Sequence, residues 1–584
     1  MRNPLVQPGK LMKRSSALLP ALCVYCVLMT CAQAVEVSVL TQHNDPQRTG
    51  ANLSETLLTP ASVATPKFVR LGAFAVEGQV YAQPLYASRV STDQKGVRNI
   101  LFIATASNML YAFDADIQEA PLPIWTYDAG RARTASSRAV YNGQANIDPE
   151  IGIIGTPVID IEHSTIYLVA MTQPDRNRRE FFHTLHAVDI RSGQVRGTPV
   201  TIEGSIEGGG QFNSAHENQR AALALVGDRV IISWAGFADQ QPYDGFVMSY
   251  GTVDSSTGLK KRDQFQVVRF NPLFGERHRG GGIWHSGGGP AIDERAEFIY
   301  VVTGNGTSRN NHAGEDFDSS DVKLDASLRV ADYYTPSYQN FLNEHDLDLS
   351  VSGPMIPPEW RDKTGKLVRR LVHGGKAGLL YNLNRDGLGR FHEKSNVPQQ
   401  FRVFDEPNPG PMLEKLHIHA TPTLWDRKST RLVYVASDWG LGVKAFKFND
   451  DGTLDERPLL FTSGPHRYAF TQLALSANGG EDGILWAIGC LDCVVDGPTK
   501  PNTDPGGKQG VLVAYDASKL GAPIFTSPPI GIYPRFNAPT VVNGRVYVPT
   551  FSNSVAVFGL TRSIAPPLAP APVILEPTYY YLLD

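Results

Sequence analysis

A short β phrase that recurs eight times constrains this chain more than anything else in it. Each copy has a strand start that often carries proline, then a turn, a β-branched run with a tyrosine, and a small-residue strand ending near Ala-x-Asp. The first copy starts Gln83-Pro84-Leu85 and continues through Leu101 to Ala104 and Leu110 to Asp114. The second starts Thr156-Pro157-Val158 and reaches Leu185 to Asp189. The third holds Arg229 to Ser233 and Phe246 to Tyr250, and the fourth Gly289-Pro290-Ala291 with Phe298 to Val302. The fifth holds Arg370 to Gly374 with Leu379 to Leu383, and the sixth Thr421-Pro422-Thr423 with Leu432 to Ala436 and Val443 to Phe446. The seventh runs through Ile484 to Ile488 and Val511 to Asp516. The eighth runs through Ala538-Pro539-Thr540, Arg545 to Pro549 and Val555 to Phe558.

A period of roughly 40–60 residues, in short β-runs bounded by Gly, Asn, Asp and Pro, belongs to the propeller class of repeats. Helical periodicity is nearly absent. A four-stranded blade cannot bury both faces alone, so neighbouring blades must stack in a ring. The expected fold class is all-β: an eight-bladed β-propeller of four-stranded antiparallel blades, over residues 67–561. Unit eight is short at its C-terminal end. The run Phe68 to Ala75, ahead of unit one, is expected to supply its missing strand and close the ring. Two smaller β domains are the alternative, but no linker between units supports them.

Composition agrees. Gly 54 and Pro 41 mark a turn-rich chain, and 42% hydrophobic residues suffice for a large core. A formal net charge of −4 and the absence of a long basic run argue against nucleic-acid binding. Residues 1–34 read as a cleaved secretory signal: Arg2, Lys10, Lys13 and Arg14, then an apolar stretch from Ala17 to Thr30, then Ala32-Gln33-Ala34. The apolar stretch is too short to span a bilayer, and no other segment reaches that length. The expected location is therefore periplasmic or secreted, with no membrane span. Residues 35–66 read as an extended lead-in and 562–584 as a Pro-rich tail. Residues 306–325 and 495–508 read as polar loops on one face of the ring. Cys490 and Cys493, at CxxC spacing in an exported chain, are expected to form a disulfide. Val494 follows where a c-type haem site would need histidine.

The chemistry concentrates in one stretch: Gly280-Gly-Gly-Ile-Trp284, then Thr303-Gly304-Asn305, then Asp346-Leu-Asp348, then Lys376 followed by Tyr381 and Arg385. A flat aromatic, an amide, a close carboxylate pair and a lysine arrive in that order. This resembles the pyrroloquinoline quinone (PQQ) alcohol dehydrogenases, which have stretches similar to these in the same order (Gly-Gly-Gly-x-x-Trp, Thr-Gly-Asn, Trp-Asp-x-Asp and Lys-x-Gly-x-x-Tyr-x-Leu-x-Arg), over about 110 residues here. It is similar also to a less well understood secreted branch, through Asn44-Asp-x-x-Arg48-Thr-Gly-Ala-Asn52 and Glu150-Ile-Gly-Ile-Ile-Gly-Thr-Pro157.

The resemblance implies roles position by position. Trp284 would be the floor beneath the quinone; a tryptophan wedged between blades is the alternative. Asn305 would be an amide ligand of Ca²⁺ or a lanthanide, although Gly304-Asn305-Gly306 is equally a turn signal. Asp346 would be the active-site base and a metal ligand. Asp348 would be the extra acid that marks lanthanide-using members; on an extended strand the two acids would share one face and repel unless a cation sat between them. A solvated acidic loop is the rival reading, and His345 stands where the family usually has tryptophan. Lys376 would contact the quinone oxygens, against the commoner fate of a surface lysine. Asp239, with Gln240 second, would replace a blade-three glutamate ligand. Arg220, Arg277, Arg279 and Arg535 could serve the carboxylates of PQQ, with Arg220 and Arg535 taken as cofactor-binding.

Two departures weigh against full activity. No adjacent cysteine pair covers the quinone. The blade-locking motif is degraded: unit one keeps Ala112, Asp114 and Trp125, whereas unit two keeps Ser192-Gly193 but has Arg196 near the tryptophan site. His417-Ile-His419 could reach a metal or pack the ring. The implied activity is oxidation of an alcohol or sugar hydroxyl, with electrons passed to a separate carrier such as a cytochrome. A propeller that kept the ring, lost the cofactor and binds protein or glycan is the competing reading; a hydrolase or lyase on polysaccharide is a third.

Overall fold

A computed structural model describes residues 37–117, 121–134, 147–205, 211–237, 241–269, 279–307, 314–391, 398–404, 416–427, 429–436, 441–463, 468–491 and 508–561. The expected signal segment and the Pro-rich tail from 562 onward lie outside them. Among the described residues no helix is long and apolar enough to cross a membrane.

Eight antiparallel sheets follow one another along the chain. Blade one spans 85–128, blade two 158–201, blade three 224–266, blade four 291–335, blade five 370–402, blade six 423–461 and blade seven 468–526. Blade eight takes 540–560 and borrows its fourth strand from the start of the ring: Phe68–Ala75 pairs antiparallel with Ser554–Leu560, from Phe68 opposite Leu560 to Ala75 opposite Ser554. The expected seam is thus observed. Blade five shows three strands among the described residues.

Stacking explains the composition of the strands. Thr165–Thr172 of blade two is buried at every position, because both faces meet a neighbouring blade. A β-branched, aromatic strand suits such a two-sided setting. The α-helices are short, Pro60–Val63 and Gln339–Glu344.

The degraded locking motif works across neighbours. Trp125 of blade one donates its indole N–H to the Ile190 carbonyl of blade two at 3.2 Å. Gly193, the glycine that unit two kept, lies beneath that ring; a Cβ there would sit 2.7 Å from it. Trp425 repeats the hook on Gly479 at 3.0 Å, and Trp360 on Asp450 at 2.8 Å. At the tryptophan site of unit two, Arg196 bridges instead to Asp254 of blade three at 2.8 Å.

Residues 39–55 are more than an extended lead-in: they form a hub on the ring axis. Val39 bonds Tyr86 of blade one, the Leu40 carbonyl accepts from Ile159 of blade two, and the Pro46 carbonyl from Ile292 of blade four. Gln47 serves Ile356 at the entry to blade five, Thr49 serves Leu424 of blade six, and Gly50 serves Leu475 of blade seven. Asn52 reaches Val541 of blade eight at 3.1 Å. Arg48 completes the circuit through the Leu223 carbonyl ahead of blade three at 3.0 Å. Its guanidinium is fully buried and also donates to Pro290 O at 3.0 Å, Thr41 Oγ1 at 2.6 Å and Gln42 O at 2.7 Å.

A buried acceptor left without a donor costs about 1–3 kcal/mol, and Arg48 serves four. Arg48→Met is therefore expected to destabilise the chain by at least about 3 kcal/mol in equilibrium denaturation. A loss below about 1 kcal/mol would show the hub to be packing alone.

Candidate functional site

The residues just upstream of the innermost strands converge at the axis above the hub. Tyr81, Asn218, Arg220, Trp284, Asp348, Lys376, His419 and Arg535 line one cavity of about 190 Å³, with Phe536 and Phe551 among its apolar walls. Five sequence-predicted residues meet there: Trp284, Asp348, Lys376, Arg220 and Arg535. They come from the approaches to different blades, which is why only ring closure brings them together.

Trp284 opens a short turn in which His285 and Ser286 both adopt left-handed backbone, φ 45° and 40°. His285 tucks under the floor with Nε2 at 3.2 Å from the Val302 backbone, and burial pulls its pKa down to about 3. The Trp284 ring meets Tyr243 edge-on at 6.3 Å between centroids, and its indole nitrogen has no partner.

Asp346 and Asp348 do not lie on an extended strand. The helix Gln339–Glu344 ends at His345, and Asp346 takes a left-handed conformation, φ 52°, as Leu347 bonds back to Leu342. That chain reversal is the αL type of helix ending, which Asp tolerates better than most residues. Both carboxylates nonetheless converge on Lys376, whose ammonium lies 2.9 Å from Asp346 Oδ1 and 2.6 Å from Asp348 Oδ2. The cation required between the acids is thus a side chain of the protein.

Asp348 is 2% exposed and Asp346 71%, so the pair runs from the wall of the cavity to its rim. Burial pushes the Asp348 carboxyl up, but Lys376 and the Asn305 N–H outweigh it and hold the pKa below the ordinary value. Burial works against the Lys376 ammonium, yet the two acids hold its pKa above the usual lysine range.

Asn305 sits in this cluster. Its backbone N–H donates to Asp348 Oδ1 at 2.8 Å and its amide to Asp346 Oδ1 at 3.2 Å, while its buried Oδ1 has no partner. The Gly304-Asn305-Gly306 signal is both a turn and a contact. A Cβ at Gly304 would sit 2.5 Å from Asp348 Oδ1, and one at Gly306 2.5 Å from Asp318 Cβ.

Two arginines also line the cavity. Arg220 is 6% exposed, and its contacts among the described residues are backbone carbonyls at 3.4–3.5 Å. Burial lowers its pKa to about 10. Arg535 lies against the Phe536 ring at 4.4 Å, and Tyr81 faces Arg220 at 5.6 Å. Arg220 has no carboxylate in ion-pair contact among the described residues. A buried guanidinium without a counter-ion in a cavity fits an anionic ligand.

Other expectations fare differently. Asp239, Gln240, Arg277 and Cys493 lie outside the described residues. Cys490 is fully buried near the end of Glu481–Leu491. Arg279 faces away from the cavity, toward Asp244 at 3.4 Å. His419 lines the cavity and stacks on Phe536 at 5.0 Å, with His417 5.5 Å away. Sequence reading missed Tyr81, Asn218, Phe536 and Phe551. Each immediately precedes an inner strand or follows a blade's second strand, and that position in the repeat was the available signal. Among the described residues no group of three metal-ligating His, Cys, Asp or Glu is present.

No protein-family model matches the chain, and no curated protein sequence does. Solved structures do. A quinohemoprotein alcohol dehydrogenase from Comamonas testosteroni is 14% identical, with a TM-score of 0.57 over 94% of this chain and 84% of that one. A quinohemoprotein alcohol dehydrogenase from Pseudomonas putida HK5 is 13% identical, with a TM-score of 0.51 over 93% and 83%. A europium-containing methanol dehydrogenase is 13% identical, with a TM-score of 0.53 over 90% and 98%. The chain shares their eight-bladed fold.

Behind Tyr243, Glu217 and Asp244 are buried together. Burial raises the Asp244 pKa to about 7 against the pull of Arg279, and Glu217 is raised well above the carboxylate range by burial and then by Asp244. A carboxyl whose folded pKa is raised keeps its proton longer in the fold than in the unfolded chain. Its contribution to stability is therefore present at low pH and lost as pH rises toward 7. Thermal melts between pH 5 and pH 8 should fall more steeply for the native protein than for Asp244→Asn. Parallel curves would show that Arg279 already holds Asp244 ionised.

Proposed function

We propose that this chain is an exported quinoprotein oxidoreductase that oxidises an alcohol or sugar hydroxyl with PQQ and Ca²⁺ or a lanthanide. The observation that carries the reading is the polarity of the cavity. Arg220, Arg535 and Lys376 line it together with Asp348 and Trp284, and Asp346 joins Lys376 at the rim. The residues suit the cofactor. Unpartnered buried atoms at Trp284 Nε1 and Asn218 Oδ1 can take polar groups of a planar ligand, and the two arginines can take its carboxylates. For a hard cation the candidate oxygens are Asn305 Oδ1 and the carboxylates of Asp346 and Asp348, with Asp239 a further candidate from blade three.

When bound, the quinone supplies the two-electron acceptor and the metal supplies Lewis-acid polarisation. The chain's own residues do the rest. Trp284 gives a rigid stacking face. Arg220 and Arg535 fix one edge of the ligand and so orient it. Lys376 places positive charge at the other edge, where a reduced ligand is more anionic. Asp346, at the rim and 2.9 Å from the Lys376 ammonium, takes the hydroxyl proton of the substrate. Electrons leave to a separate carrier such as a cytochrome. A secretory signal over residues 1–34 and a Cys490–Cys493 disulfide complete the proposal.

A ring that lost its cofactor and binds protein or glycan is the second reading. One observation favours it: Lys376 already bridges the acid pair and offsets one of its two charges, so the carboxylates can sit together without a metal.

One titration separates the two. Purified protein with PQQ and Ca²⁺ or La³⁺ should acquire the absorbance of bound quinone, and Trp284→Ala should weaken binding about tenfold or more (~1.4 kcal/mol). Asp346→Asn should keep binding but lower turnover by about 10²–10⁴. No uptake with either metal supports the binding module.

A further inference from the structure

Behind the candidate site, four consecutive polar residues, Asp318-Ser319-Ser320-Asp321, are all completely buried. Within the polar loop expected over 306–325, these four residues are interior, and a strand begins at Asp321. Such burial is tolerated only where the polar atoms are bonded, and the partners of this segment lead to every strand of the site.

The first arm runs to Asn305. Ser319 donates its backbone N–H to Gly304 O at 2.7 Å, and Thr303 bonds Ser320 O through its N–H at 2.8 Å. The second arm runs to Asp346. Asn343, on the last turn of the helix that Asp346 terminates, donates to Asp318 Oδ2 at 2.9 Å. Its own Oδ1 accepts from Ser319 Oγ at 2.9 Å and from Gly306 N at 3.2 Å. Gln339, at the start of that helix, donates to Asp318 Oδ1 at 3.0 Å.

The third arm runs to Lys376. Asp321 and His373 are both completely buried, with His373 Nε2 at 3.0 and 3.2 Å from the two carboxylate oxygens. His373 Nδ1 lies 2.7 Å from Gly374 O, which can only accept. Both ring nitrogens therefore face acceptors, and the ring lies flat on Tyr381 at 4.7 Å and 1°. His373 is thereby tied at both ring nitrogens, to Asp321 on one side and to Gly374 on the other. The Gly374 carbonyl it holds opens the Gly374-Gly375-Lys376 turn. Gly374 N donates to Ser352 Oγ at 3.1 Å, and Lys376 N to Asp348 O at 3.1 Å.

We propose that Asp318 and Asp321 are positioning residues of the candidate site. Through Asn343 and His373 they hold Asp346 and Lys376 at a fixed mutual distance, so that the ammonium stays bridged between the acids. The proposal rests on Lys376 and Asp346 being the working groups, but its test needs no cofactor.

Acetic anhydride acylates only the unprotonated amine, so a lysine clamped between two carboxylates reacts slowly. In the native protein Lys376 should label much more slowly than the exposed Lys95, read by mass spectrometry of the digest. His373→Phe keeps the ring on Tyr381 but removes both hydrogen bonds. Lys376 labelling should then rise about tenfold, the effect of about one pK unit, while Lys323 of blade four stays unchanged. Asp321→Asn can still bond His373 Nε2 and should remain within about twofold of native. Should the His373 variant fail to fold, Asn343→Ala tests the second arm by the same readout, with a rise of about threefold expected. Unchanged Lys376 labelling in a folded His373→Phe or Asn343→Ala variant overturns the proposal. So does Lys323 rising in step, which would mean the pair only holds the blades together. Neither result depends on whether PQQ binds.

Discussion

Closing a ring of sheets creates a problem at its centre, and the solution to it underlies the rest of this structure. Inner strands turn their edges toward the axis, where each carbonyl and N–H needs a partner or water. In this chain residues 39–55 supply such partners, with Arg48 donating to carbonyls at the entries of blades three and four. The segment meets all eight blades through backbone and side-chain bonds. The cavity lined by Trp284, Asp348, Lys376 and Arg220 forms a cup within the ring that this segment ties together.

A cup of this kind sets the electrostatics of what it holds. Arg220 is buried with carbonyls for company, and Lys376 is buried with two acids. Arg220 thus brings an unmatched positive charge, whereas Lys376 meets two acids at once. A ligand with an anionic edge and a reducible edge has one favourable orientation between them, with Trp284 as the surface it lies on. Orientation follows from where the protein leaves charge unpaired, more than from any single contact.

Repeat period, turn residues and strand chemistry were enough to read the ring, its eight units and the seam at Phe68–Ala75, because each is local or follows from the need to cover both faces of a sheet. Trp284, Lys376 and Asp348 were legible as an ordered set by resemblance, and Arg220 and Arg535 as loose candidates. The hub was not legible: its bonds reach from residue 52 to residue 541, and nothing local marks such contacts. The helix before Asp346 was hidden by its length, since Gln339–Glu344 is too short to show a period. The burial of Asp318 to Asp321 was hidden by composition. Asp-Ser-Ser-Asp reads as solvent-facing, and only long-range partners such as His373 and Asn343 make its interior position tolerable.

That last contrast bears on what kind of site this is. Fully buried polar clusters are costly, and replacing them with apolar side chains is often neutral or stabilising. A ring that needed only stability could fill the space behind Asn305 and Lys376 with leucine and valine, as it does between blades one and two. This one instead spends four buried polar residues and an ion pair where three site strands meet. Hydrogen bonds fix direction and distance in a way that dispersion contacts do not, and direction matters where Lys376 must stand within reach of two carboxylates at once. The polar interior is thus intelligible as the means by which a β-ring, whose own stability asks nothing of this corner, holds a charged cluster at the rim of its cavity.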